Sequence, residues 1–145
     1  MQIYTMGFAQ KSAETFFELV KKNEIEILID VRLNNQSQLA GFTKGRDLQY
    51  FLKELTGCEY AHDLVFAPTR ELLDDYKKGR ASWDDYVKVF TGFIEQRRMS
   101  SHFASKYGEF GRVLLLCSEP TPEKCHRRLV AEAVAKEIGA EIVHL

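Results

Sequence analysis

Arg112-Val113-Leu114-Leu115-Leu116-Cys117-Ser118-Glu119-Pro120-Thr121-Pro122-Glu123-Lys124-Cys125-His126-Arg127-Arg128 decides how the rest of the chain is read. Its first six residues end in an unbroken apolar run, the pattern of a strand covered on both faces in a parallel sheet. Thr121 is a good N-cap, and Pro122 suits a first helical position, where a missing N–H costs nothing. A helix is therefore expected to start within a residue or so of Pro122. Strand, short loop and helix together make a βα unit.

Working outward, the same unit recurs. Strands are expected at Gln2 to Met6, Glu26 to Val31, Cys58 to His62 and Glu141 to His144. Helices are expected from Ser12 to Lys22, Arg46 to Thr56, Pro68 to Lys78 and Ser82 to His102. The last of these carries Trp83, Tyr86, Val87, Phe90, Phe93 and Ile94 on one stripe. Strands separated by helices predict one Rossmann-like three-layer α/β/α domain, with a mostly parallel sheet of about five strands and right-handed crossovers. The 145 residues, 45% of them hydrophobic, suffice for one substantial core and are too few for two ordinary domains.

In such sheets ligands bind at the carboxyl edge of the strands. In the final helix Leu129, Val130, Ala133, Val134 and Ile138 define an apolar stripe. His126 falls near its middle, Cys125 and Arg127 on its flanks, and Arg128 faces away. Cys117, Ser118 and Glu119 are already at the strand end, so loop and helix are expected to face one solvent-reachable crevice. The helix start and the Arg127 fork favour an anion there, and their field lowers the pKa of a nearby thiol, Cys125 being the nearest.

Other strand ends add candidates. Thr5 and Gly7 close the first strand, and Gly7 permits close backbone approach. Asp30 and Arg32 lie two apart on one face, either as a mutual ion pair or as ligand-orienting groups. His62 ends the third strand. The segment from Leu33 to Gly45 has no clear period and is expected to form a mobile cover over the crevice.

Other readings are narrowed by spacing and charge. Seven residues separate Cys117 from Cys125, which matches none of the paired spacings of structural zinc, so no metal and no cofactor are expected. A phosphatase-type cysteine loop needs arginine where Glu123 stands. The formal net charge of −1 offers no global basic field of the kind nucleic-acid binders carry, which leaves only local anion recognition. An odd cysteine count, a start without a secretory signal pattern and no membrane-length apolar run are expected of a cytoplasmic protein. Cys58 is expected to be structural.

Thr5-Met6-Gly7, Asp30-Val31-Arg32 with Ser37 and Phe42, Tyr60, Trp83 with Tyr86, Leu116-Cys117-Ser118-Glu119 and Cys125-His126-Arg127 together resemble the domain-of-unknown-function 488 family. The resemblance spans nearly the whole chain, and its final motif is the specific part. It implies a compact α/β domain without an assigned activity, with Asp30, Arg32, Cys117, Glu119, Cys125, His126 and Arg127 as matching positions. The chain departs from the family in having Phe8-Ala9 after the first-strand glycine, where a polar pair is usual. Leu64-Val65-Phe66-Ala67 replaces a Leu-Gly-Gly segment.

The expected function is a small enzyme acting on an anionic substrate, a nucleotide or nucleic-acid fragment. Arg127 and Arg32 would hold the charge, with Thr5, Gly7 and Ser118 as further ligand contacts. Cys125 would be nucleophile or redox thiol, with Cys117 beside it, His126 the proton-transfer partner, and Glu119 or Asp30 an acid–base carboxylate. The competing class is a binding module without chemistry, built from the same arginines and helix start.

Overall fold

The computed structural model describes residues 1–36 and 40–145. Among them five strands form one all-parallel sheet: β1 (Gln2–Gly7), β2 (Ile27–Asp30), β3 (Glu59–His62), β4 (Arg112–Cys117) and β5 (Glu141–His144), in the order β3-β2-β4-β1-β5. The expected Rossmann-like three-layer α/β/α architecture is thus found. The helices are α1 (Ala13–Lys22), α2 (Gly45–Thr56), α3 (Arg70–Lys77), α4 (Trp83–Gln96), α5 (Met99–Tyr107) and α6 (His126–Ile138).

Alternation along each strand divides the core between the two faces of the sheet. Ile3, Ile27, Ile29, Val113, Leu115 and Cys117 meet α3 to α6, whereas Tyr4, Met6, Leu28, Leu114 and Leu116 meet α1 and α2. The connections after β1 and β2 therefore cover one face and those after β3 and β4 the other, as right-handed crossovers demand. β4 lies between β2 and β1, whose helices leave on the face opposite to α6. Its carboxyl end is thus a switch point, where adjacent loops part and leave room for a site.

Two helix boundaries differ from expectation. The stretch from Ser82 to His102 is not one helix. α4 begins at a Ser82–Asp85 capping box and ends at Gln96; Arg98 then takes a left-handed backbone (φ 48°) before α5. The break re-aims Met99, Phe103 and Tyr107 into the core, and the Arg97 guanidinium fastens it by donating to the carbonyls of Val65 (3.0 Å) and Ala67 (2.7 Å). α6 starts at His126, four residues beyond the expected site. Pro122 opens a turn instead, closed by the Cys125 N–H on the Pro122 carbonyl (3.2 Å), and Cys125 is the extended N-cap. The buried stripe of α6 also differs from the expected one: Ala131 and Ala135 join Val130 and Val134, while Leu129, Ala133 and Ile138 are only half-buried.

Candidate functional site

The late start of α6 places Cys125, His126 and Arg127 at its very opening, beside the carboxyl end of β4. Cys117 points to the α6 face because Leu115 and Val113 do. One donor atom from each of Cys117, Cys125 and His126 falls within 4.8 Å of the others, and His126 Nδ1 is 3.8 Å from Cys117 Sγ. The other ring nitrogen, Nε2, lies 2.7 Å from the Val31 carbonyl. A carbonyl only accepts, so Nε2 carries the proton and the remaining ring nitrogen faces the two thiols.

The cluster is closed rather than open to a crevice. Cys117, Cys125 and His126 keep 6%, 3% and 6% of their surface, and the Phe90 ring packs against the imidazole at 5.5 Å. A hollow of about 370 Å³ lies elsewhere, along α1 and α2, and is lined by none of these residues. The expected solvent-reachable crevice is thereby corrected. Phe90 of α4, packed on the imidazole, takes up the space that sequence spacing left free on that side.

Charge inside the cluster is uneven. Donation from the Cys125 thiol, helped by the nearby imidazole, holds the Cys117 thiol well below its ordinary pKa despite burial. Cys125 moves the opposite way, because it donates to Cys117 and is itself buried. Burial opposes charge on His126, but the Cys117 sulfur outweighs it and raises the ring. The surroundings thus favour a thiolate on Cys117, where the sequence pointed to Cys125.

Arg127 is completely buried, not flanking. Its Nη1 donates to the Glu119 carbonyl (2.7 Å), whereas Nε and Nη2 have no partner among the described residues and no carboxylate pairs with it. Around it stand Gly7, Lys11 and His144. Lys11 Nζ donates to the Gly7 carbonyl (2.8 Å), and burial together with the Arg127 charge lowers the lysine pKa. The same two causes lower His144, which touches the Thr5 hydroxyl. Glu119 contributes its carbonyl only; its side chain is exposed, and Ser118 is half-buried in the same loop.

Asp30 and Arg32 form a separate ion-paired group on the α1–α2 face, in which Arg32 Nη1 is buried without a partner among the described residues. Arg32 grips Asp30 through Nε (2.8 Å) and Nη2 (2.6 Å), and Nη2 also reaches the Thr43 carbonyl (2.6 Å). The Tyr60 hydroxyl donates to Asp30 (2.7 Å), and Phe8 lies under the guanidinium at 5.0 Å. Phe8, a departure from the family pattern, is thus a wall of this group. His62 Nε2 sits 2.7 Å from the Arg32 carbonyl, a packing role. The flanks of the 33–45 segment are held by Asn35 on Tyr60 (3.0 Å) and by Arg32 on Thr43. Ser37 and the centre of the expected cover lie outside the described residues.

Three side chains stand at the site that the sequence did not place there: Lys11, Phe90 and His144. Lys11 had a signal, being a lysine four residues beyond a strand-end glycine. The other two arrive through tertiary packing.

Fold and site together define a parallel α/β protein whose polar groups crowd one strand edge. The family model described as domain of unknown function DUF488 matches residues 12–134, and the chain belongs to that family. Comparison with curated proteins and with solved structures finds no match. No helix among the described residues is long and apolar enough to cross a membrane.

Proposed function

We propose that the protein is a small cytoplasmic enzyme taking a phosphate-bearing anion, a nucleotide or nucleic-acid fragment, where β1, β4 and α6 meet. Arg127 carries the reading. A guanidinium with no exposed surface and, among the described residues, no carboxylate partner and no partner for Nε or Nη2 is costly alone, and a bound phosphate relieves it with charge and acceptors together. The opening of α6 adds its dipole and Lys11 a second cation. Cys117, Cys125 and His126 supply the reactive groups alongside. Arg32, already engaged by Asp30, tunes this edge from the other face. All three cysteines are free thiols, in keeping with a reducing compartment.

Burial of the thiol–imidazole trio favours a second reading, a binding module that holds the same anion without transforming it. Thermal denaturation of the reduced protein with inorganic phosphate, mononucleotides and a short oligonucleotide tests both. Binding raises the melting temperature, by the equivalent of about 2.7 kcal/mol at a hundredfold excess over Kd. Arg127→Lys, which keeps charge but loses the fork, is expected to abolish most of the rise. No shift with any of these anions overturns both readings. Turnover of the bound anion that Cys117→Ser removes selects the enzyme.

A further inference from the structure

We propose that Cys117, Cys125 and His126 form a three-donor site for a divalent zinc-class metal ion, the imidazole binding through Nδ1. The inference goes beyond anion recognition and does not require it. Three features of the cluster support it. The first is convergence: two sulfurs and one ring nitrogen from a strand end and a helix start lie mutually within 4.8 Å. Tetrahedral zinc with ordinary Zn–S and Zn–N bonds sets its donors about 3.5–3.8 Å apart. The Cys117–His126 separation of 3.8 Å already meets that, and the widest pair closes with a shift of up to about 1 Å.

The second feature is the His126 ring. Its Nε2 proton is given to the Val31 carbonyl at 2.7 Å, which leaves the Nδ1 lone pair aimed at the sulfurs. Donation of the distal N–H to a backbone carbonyl is the usual way a metal-binding imidazole is oriented and made more basic. The third feature is donor chemistry. Two thiols and an imidazole, walled by Phe90 and Tyr86, suit a soft or borderline ion and exclude magnesium or calcium, which take oxygen. Three protein donors leave the fourth position of a tetrahedral ion unsupplied by the described residues.

Paired-cysteine motifs describe two donors carried on one turn, whereas here the pair is split between β4 and the N-cap of α6 and brought together by the sheet. Cys58 takes no part: it lies on the opposite face of the sheet.

Anaerobic titration of the fully reduced chain with Co²⁺ tests the site. One equivalent is expected to develop thiolate charge-transfer absorption together with the visible bands of tetrahedral cobalt, and one equivalent of Zn²⁺ to bleach them. Cys58→Ala and Arg127→Lys are expected to keep the full spectrum. Cys117→Ser and Cys125→Ser, checked for folding by circular dichroism, are each expected to weaken binding about tenfold or more. Protection of two of the three thiols from a disulfide reagent by Zn²⁺ gives a readout on the unaltered chain, independent of whether the variants fold. Absence of cobalt bands in the folded wild type overturns the site, as do bands that survive both serine substitutions. Phosphate binding is read separately by melting, so either proposal can fail while the other stands.

Discussion

Gly7 carries more constraint than any other single residue at the strand edge. A Cβ built there would stand 1.5 Å from the Glu119 carbonyl oxygen and 2.5 Å from its carbon, a collision with backbone that no rotamer relieves. Gly7→Ala is expected to push the 118–120 loop away from β1 and cost about 2–3 kcal/mol, read as a lower urea midpoint at unchanged slope. The glycine's need for close approach was legible in the sequence, and so was the gathering of Cys117, Cys125 and His126. The depth of Arg127 was not. Helical periodicity ranks positions by angle, and the apolar stripe it picks out, through Leu129, Val130, Ala133 and Val134, is turned from the face that α6 buries.

Elements went astray where a local signal met a competing one. Thr121-Pro122 is a fair helix opening in isolation, but the residues after it close a turn, and Cys125 becomes the cap with no side-chain hydrogen bond to the first turn. Ser82 and Thr69 behave as hydroxyl caps should, accepting from the Asp85 and Leu72 N–H groups at the openings of α4 and α3. The α4–α5 break left no glycine or proline to betray it. Asp63 anchors the helix beyond that break: it accepts from Tyr107 (2.7 Å), His102 (2.8 Å) and the Val65 N–H (3.1 Å), tying α5 to the end of β3. Burial opposes its charge, yet these donors hold its pKa below the ordinary carboxylate value. A depressed folded pKa contributes stability that is present above the unfolded value of about 4 and is lost as pH falls through the folded one. Asp63→Asn is therefore expected to cost about 2 kcal/mol at neutral pH and to flatten the wild type's acid limb below about pH 4, measured by urea unfolding across pH.

For the molecule as a whole, the alternation of strands and helices was enough to read the architecture, since a parallel sheet leaves few other ways to cover its faces. Strand order was out of reach, because periodicity within a strand says nothing about its neighbour. The order places β4 at the centre, with Leu114, Leu115 and Leu116 fully buried and paired on both sides. Their amides are expected to exchange with deuterium only through global unfolding, while those of the edge strands β3 and β5 exchange faster through local opening. Hydrogen exchange followed by mass spectrometry of peptides checks this ranking.

That central placement also bears on how the chain reaches its fold. β1 and β2 are consecutive strands in the sequence but never touch, since the strand that joins them, residues 112–117, is made long after both. Until it leaves the ribosome, the growing chain holds two apolar strands with unpaired edges and no partner between them. Non-local pairing of this kind closes slowly and leaves sticky intermediates. A nascent chain of this protein is thus expected to stay open to misassembly until its fourth strand slots home.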